Sequence, residues 1–452
     1  MSTSNLDPII SPIPLNYEKI DDLDKLRARI QSAVQLELTT IPAYLFALYS
    51  IIDKASDAYQ ALRSVVTEEM FHLNQAANLL VAVGGKPKLT GPAAPKYPAY
   101  LPSASRTVSP YVGLYRASLP VFQNVFMAIE MPAPYDAPAE GKAYKTIGQF
   151  YKAIEDGLER CVEKFGAEKV FRQAEGTRQR SDIYLGKFGG EAISIKDLPT
   201  AKFAIRQIVE QGEGAVDPTH PLVPEEPFGT YDYYGHRIDG TYGPILGTPF
   251  ELSHYFKFKR IVDSKKFSDT YPIISNLRVE DIKNDASKKL AVTFNKYYSI
   301  ILKSMELSFL VAATKHDVFF EVALPLMHNH LPQLAQQLMT SLVTDTGDTS
   351  VGPNAAPTFE YDSDAKLADI VAALDDMGTD VDAMHENELL AFQKTRDLVQ
   401  TLSNTPAARE PAIPRRPSPE DDVANRRVRV FGGLAENLRR IQDVSEQAGL
   451  GL

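Results

Sequence analysis

Acidic and imidazole side chains lie within the apolar faces of two consecutive predicted helices near the start of this chain. Glu37 belongs to one apolar stripe, and the motif Glu69-x-x-His72 belongs to the next. Side chains three residues apart in an α-helix share a face, so Glu69 and His72 can reach one ion from successive turns. Burying such groups without partners would cost several kcal/mol. The pattern therefore predicts that these three side chains bind a metal ion.

Each of these residues has a simpler interpretation. Glu37 could form an ion pair at the rim, but its neighbours three and four residues away offer no cation: they are Ala33, Val34, Thr40 and Ile41. Glu69 and His72 could form a hydrogen bond within a closed core. The occurrence of all three on adjacent helices favours the metal. Glu68 lies about 100° round the helix, so we interpret it as either solvated or supporting the site from behind.

The hydrophobic pattern along the chain is helical, with two long loops. Helices are predicted over residues 22–53, 59–83, 121–129, 146–165, 198–212, 250–262, two segments within 288–343, and 365–403. Pro42 should kink the first helix or end its first half. Prolines recur in residues 86–112, and residues 216–247 are rich in Pro, Gly and Tyr. The pattern predicts an all-α helical bundle with long loop insertions and additional C-terminal helices.

We divide the chain into three parts. Residues 1–345 form the metal-binding bundle, with insertions at 86–120 and 216–249. Residues 346–404 supply a loop and accessory helices that pack on the bundle, and residues 405–452 form a linker and C-terminal tail.

Composition excludes several functional classes. The formal net charge is −10 with scattered Lys and Arg, so we expect neither nucleic acid nor a membrane as a partner. The N-terminus lacks a secretory pattern, and no apolar run is long enough to span a bilayer. The single cysteine, Cys161, fits a reducing, cytoplasmic setting. No Gly-rich dinucleotide motif follows a strand, so we expect no bound NAD or flavin.

The second half of the chain offers three further metal-ligand candidates. Glu155 shares its helix face with apolar residues, which favours a ligand role over a salt bridge at the helix edge. His254 is preceded by Glu251, which makes a second Glu-x-x-His motif. Glu213 ends the longer apolar helix, so we prefer it as the ligand that accompanies His254 and keep Glu251 as the alternative. Tyr44 and Tyr151 each lie one or two helical turns from a proposed ligand. Each is interpreted either as a hydrogen-bond donor that supports the site or as a core residue. The remaining histidines are interpreted as surface or packing residues: His220, His236, His316, His328, His330 and His385.

Six segments resemble a known family. They are QLELTTIPAYLFALYSI (35–51), EEMFHLNQAANLLVAVGGKP (68–87), IGQFYKAI (147–154), IVEQGEGA (208–215), SHYFKF (253–258) and GPNAAPTFEY (352–361). Together they resemble the ferritin-like domain of the iminophenyl-pyruvate dimer synthases, enzymes of violacein- and rebeccamycin-type pathways. The resemblance implies an iron-binding, ferritin-like four-helix bundle. The positions that match its metal ligands are Glu37, Glu69, His72, Glu155, Glu213 and His254.

The implied cofactor is non-haem iron in a dinuclear centre, with manganese as an alternative metal. Carboxylate and imidazole ligands leave such a centre open to O₂ or peroxide. The leading hypothesis is an oxidoreductase of specialised metabolism that acts on a small aromatic or amino-acid-derived substrate, as a monomer or a homo-oligomer. Two alternatives are an iron-storage or peroxide-detoxifying protein, and a metal-free helical bundle with a structural or partner-binding role. Catalytic residues beyond the metal ligands are not assigned.

Overall fold

Helices make up most of the structure, a computed structural model that describes residues 19–133, 139, 144–183, 192–213, 252–310 and 317–367. The α-helices are α1 (Leu23–Ser50), α2 (Asp57–Ala82), α3, α4 (Ile147–Phe165), α5 (Ala167–Val170), α6 (Leu198–Gly212), α7 (His254–Ser264), α8 (Asp285–Ser308) and α9 (Leu331–Met339). Helix α3 is composite, because a π-helical segment (Phe122–Phe126) joins the α-helical turns Leu119–Val121 and Met127–Ile129. Two more π-helical segments, Phe319–Ala323 and Leu326–His330, precede α9. These elements confirm the predicted all-α class.

Helices α1 and α2 form the longest pair, and a short connection makes them antiparallel neighbours. Each begins at a side chain that accepts a backbone N–H two or three residues into the helix: Asp22 accepts from Lys25, and Ser56 accepts from Tyr59. Helix α1 continues through Pro42 rather than ending there. After α2 the chain turns at Gly84, whose φ of +83° favours glycine.

Four shorter helices pack around this pair and bury its remaining apolar face. Helix α1 contacts α4, α2 contacts α6 and α7, and α3 lies against α7. Thr146 caps α4, and Asp197 forms a capping box with Thr200 at the start of α6. The predicted helices at 146–165 and 198–212 are therefore found almost to the residue. Charged side chains that point between these helices lie in the core.

The proline-rich loop after α2 is fixed onto the bundle. It contains a small antiparallel hairpin, β1 (Ala99–Tyr100) with β2 (Tyr111–Val112), in which Ala99 pairs with Val112. The Glu306 carboxylate on α8 accepts hydrogen bonds from the backbone N–H groups of Leu89 and Thr90 at 2.8 and 3.0 Å. Buried side chains of the loop extend the main core: Leu89, Leu101, Val112 and Leu114.

After α9 the chain packs back on α8, where Phe359 contacts the rings of Phe294 and Tyr298. Several predictions lie outside the described residues: the insertion at 216–249, Glu251, the C-terminal helices and tail beyond residue 367, and the packing or surface roles of His220, His236, His316 and His385. The division into three parts stays a prediction. A bilayer crossing would need a longer or more apolar helix than any in the described part of the chain.

Candidate metal centre

Three buried side chains from two helices converge in the centre of the bundle. Glu69 and His72 come from α2, and His254 begins α7. One potential ligand atom from each lies within 4.8 Å of the other two. Glu69 Oε1 is 3.5 Å from His72 Nδ1 and 3.0 Å from His254 Nδ1. A single carboxylate therefore stands between two imidazoles.

Two further carboxylates flank this group on opposite sides. Glu37 Oε2 on α1 is 3.8 Å from His72 Nδ1, and Glu130 Oε2 at the end of α3 is 3.5 Å from His254 Nδ1. A buried tyrosine donates a hydrogen bond to each: Tyr151 to Glu37 and Tyr44 to Glu130, both at 2.5 Å. Burial raises the pKa of both phenols well above the ordinary value, so they remain neutral donors. The hydroxyl of Thr40 donates to Glu69.

The outer nitrogen of each imidazole is also occupied. His72 Nε2 lies 2.9 Å from the amide oxygen of Gln211 on α6. His254 Nε2 lies 2.7 Å from Glu68, whose two oxygens each accept from the ammonium of Lys257 at 2.7 Å. An acceptor at Nε2 places the proton of a neutral imidazole there, so the Nδ1 lone pairs of both rings face Glu69.

The electrostatics of the cluster require additional positive charge. Four buried carboxyl groups (Glu37, Glu68, Glu69, Glu130) share one buried ammonium, Lys257. Burial and the charge of Glu69 raise the pKa of Glu37 well above its ordinary range. Burial also acts on Glu69, but the neighbouring His254 and His72 imidazoles outweigh it and lower its pKa to about 2. Without a metal, protons must supply the missing charge.

The donor set fits a metal ion. Burial alone would lower the pKa of His254, but Glu130, Glu68 and Glu69 hold it well above its ordinary value. Yet its Nδ1 makes no hydrogen bond with any of the described residues, although two carboxylate oxygens lie within 3.5 Å. A set of carboxylate oxygens and imidazole nitrogens such as this one suits iron, manganese or zinc. Carboxylate-bridged sites in helix bundles use the same elements: glutamates from separate helices and Glu-x-x-His motifs.

The structure brings four of the six predicted ligands together: Glu37, Glu69, His72 and His254. Glu155 is corrected, because it faces the edge of α4 and lies 3.3 Å from Lys202 Nζ on α6. Glu213 is also corrected. Its two oxygens accept hydrogen bonds from the backbone N–H groups of Gly148 at 2.6 Å and Ala133 at 3.1 Å, so it joins the first turn of α4 to the segment after α3.

Sequence reasoning missed Glu130, because helix α3 is short and its π-helical segment disturbs the helical period. One signal was present: Glu130 is the only charged residue between Arg116 and Asp136. Of the two interpretations of Glu68, support from behind the site is confirmed and solvation is wrong. Gln211 and Lys257 had no periodic signal, since their roles depend on helices that are distant in sequence.

Comparisons with known proteins agree with this geometry. A family model described as ferritin-like matches residues 30–263. The chain is 26% identical over 242 residues to a 2-imino-3-(indol-3-yl)propanoate dimerase from Chromobacterium violaceum, covering 46% of this chain and 23% of that protein. It is 25% identical over 256 residues to a dichlorochromopyrrolate synthase from Lentzea aerocolonigenes, covering 52% of this chain and 22% of that protein.

These matches span less than a quarter of each relative's length. Among solved structures, a ferritin like protein from Caulobacter vibrioides matches with a TM-score of 0.50 and 20% identity, over 75% of this chain and 99% of that one. This last likeness supports the fold alone. The two sequence relatives confirm the family resemblance.

Proposed function

The chain belongs to the ferritin-like family, and from that premise we propose that it is a non-haem iron oxidoreductase with a dinuclear centre at Glu37, Glu69, His72, Glu130 and His254. The observation that carries the proposal is the buried excess of carboxylates around two Nδ1 atoms, one of which has no hydrogen bond within the described part of the chain. Such a charge imbalance is expensive unless cations compensate for it. Manganese is the alternative metal.

Iron bound at these residues would supply oxidation of a substrate with O₂ or peroxide. The chain's own residues orient the site and keep it dry. Tyr44 and Tyr151 retain their protons and hold Glu130 and Glu37 in place through hydrogen bonds. The ring centroids of Phe126 and Phe258 lie 4.9 and 5.5 Å from the ring centroid of Tyr44. These apolar rings exclude water from the side of the site where Glu130 lies.

The substrate proposed is a small aromatic molecule derived from an amino acid. The name of one relative specifies an imino acid that carries an indole ring, and the other relative is named as a dichlorochromopyrrolate synthase. Because the matched segment is a minor part of both relatives, their complete reactions are not transferred to this chain. The reaction proposed for this chain is oxidation of such a molecule, and the cytoplasmic setting expected from the sequence is compatible with it.

The test combines metal analysis with turnover. Protein loaded anaerobically with Fe²⁺ is expected to retain about two iron ions per chain, as carboxylate-bridged helix bundles do. It should then consume aromatic imino acids in the presence of O₂ or peroxide. His72→Ala should lose both iron and turnover. Wild-type protein that stays free of metal after loading would overturn the proposal, and iron that accumulates as ferric mineral without turnover would favour storage.

A further inference from the structure

The candidate centre is nearly symmetric about Glu69. On one side are the His72 imidazole, the Glu37 carboxylate and the Tyr151 phenol. On the other side are the corresponding groups of His254, Glu130 and Tyr44. The distances match closely: the outer carboxylates lie 3.8 and 3.5 Å from the two Nδ1 atoms, and both tyrosines donate at 2.5 Å. Among the described residues, each side therefore offers one imidazole and one terminal carboxylate of the same kind.

The two sides differ in what lies behind each imidazole. His72 Nε2 meets the neutral amide oxygen of Gln211 at 2.9 Å. His254 Nε2 meets a carboxylate oxygen of Glu68 at 2.7 Å. Glu68 is fully buried and is paired with Lys257, which also donates to Ser64 at 2.8 Å. The chain thus places a buried ion pair behind one ligand and an uncharged amide behind the other.

This difference changes the strength of the two imidazoles as ligands. A hydrogen bond to a carboxylate is charge-assisted and stronger than one to an amide, and it raises the electron density at the opposite ring nitrogen. Resting on the metal site of the proposed function, we propose that the two metal positions are inequivalent and that the position at His254 binds a divalent cation more tightly than the position at His72.

Lys257 acts as a positioning residue for this arrangement. The ammonium of Lys257 lies 2.7 Å from both oxygens of Glu68, so it compensates the charge of that carboxylate and fixes its orientation towards His254. Since the pair is neutral as a whole, it strengthens one hydrogen bond without adding net charge to the core.

To test this, the metal-free full-length chain is titrated with Co²⁺ under anaerobic conditions. Binding is monitored by calorimetry and by the optical absorption of the bound ion. Wild-type protein is expected to show two steps. Their dissociation constants should differ by about 10- to 100-fold, the usual effect of an outer hydrogen-bond partner on metal affinity. The double variant Glu68→Gln with Lys257→Met removes both charges and retains an amide oxygen for His254. Its tighter step should weaken until the two steps merge.

A second variant works in the opposite direction and does not depend on removing buried charges. Gln211→Glu places a carboxylate behind His72, so the weaker step should tighten while the tighter step stays unchanged. The matched control is Lys259→Met on the same helix, where the exposed Lys259 pairs only with Asp263 in the described structure. This control should leave both steps unchanged.

The outcomes separate this inference from the proposed function. Two Co²⁺ ions bound with equal affinity in the wild type would overturn the inequivalence and leave the metal site intact. The inequivalence is equally overturned if the double variant weakens only the looser step, or if Gln211→Glu leaves the looser step unchanged. Absence of Co²⁺ binding altogether, in protein that folds normally by circular dichroism, would overturn the proposed function itself.

Discussion

The two halves of the candidate centre are built in different ways. The first half uses α1 and α2, two long capped helices on which Glu37, Glu69 and His72 occupy regular core positions. The second half uses the end of a helix with a π-helical segment, where Glu130 lies, and the first residue of α7, which is His254. Regular packing of long helices orients the first set of side chains. Short or irregular elements cannot orient the second set by packing alone.

Polar contacts compensate for this irregularity in the second half. Tyr44 on α1 holds Glu130, and Glu68 on α2 holds His254, so both side chains are anchored to the regular pair. Ser253, at the start of α7, donates to the backbone oxygen of Glu213 at 3.2 Å and links α7 to the end of α6. Hydrogen bonds occur in both halves, but in the second half they attach short elements to the regular pair, whereas in the first half the ligands lie on that pair itself.

The largest expected effect comes from the residue that both halves share. Glu69→Ala removes the only carboxylate close to both Nδ1 atoms among the described residues, so affinity for Co²⁺ should fall at both positions. Loss of an outer partner alone already costs about 10- to 100-fold in affinity, and the loss of a bridging ligand should exceed about 100-fold. The measurement is calorimetric titration of folded protein. A variant that kept one cation at wild-type affinity would show that Glu69 serves a single half.

A smaller effect distinguishes the halves from each other. Glu130→Gln should weaken only the position at His254 and leave one cation bound, because Glu130 flanks His254 and Glu37 flanks His72. Glu155→Gln is the matched control: it changes a glutamate that pairs with Lys202 at the helix edge, and metal stoichiometry should not change. If Glu155→Gln also lost a cation, the correction of that residue would be wrong.

This difference between the halves also explains what the sequence could predict. Helical periodicity and caps placed α1, α2, α4 and α6 within a few residues, and the first half of the site followed from acids on apolar faces. In the second half the same rule selected Glu155, which sits at the edge of a helix. A single sequence does not show whether a residue lies within the buried face of a helix or at the edge of that face. The position of the edge depends on which helix packs there.

Glu213 shows a second limit of reasoning from the sequence. It is 2% exposed, as expected of a ligand, but its carboxylate accepts hydrogen bonds from backbone groups of two segments that are distant in sequence, the first turn of α4 and the stretch after α3. Hydrogen bonds of this kind depend on where loops return in space, and no local pattern encodes them. The hairpin in the loop after α2 was missed for a similar reason, since each of its strands has only two residues.

The smallest expected effect tests this structural role through the pH dependence of stability. Burial raises the pKa of Glu213 from an ordinary 4.5 to about 7. A carboxyl with a raised pKa in the folded state keeps its proton there while the unfolded chain releases it. The wild-type protein should therefore lose stability as pH rises from about 4.5 to about 7, with no further loss from this group above that pH. The shift corresponds to about 3 kcal/mol as an upper bound.

Glu213→Gln cannot titrate, so the difference in unfolding free energy between wild type and variant should change by up to about 3 kcal/mol in favour of the variant over that pH range. The amide also loses one of the two acceptor oxygens, but that cost is independent of pH and only shifts the whole curve. Denaturant unfolding of metal-free protein at several pH values measures the difference. A difference independent of pH would mean that the carboxylate is ionised throughout. Glu213 would then add another negative charge beside Glu130, and the second half would need its cation even more than the first.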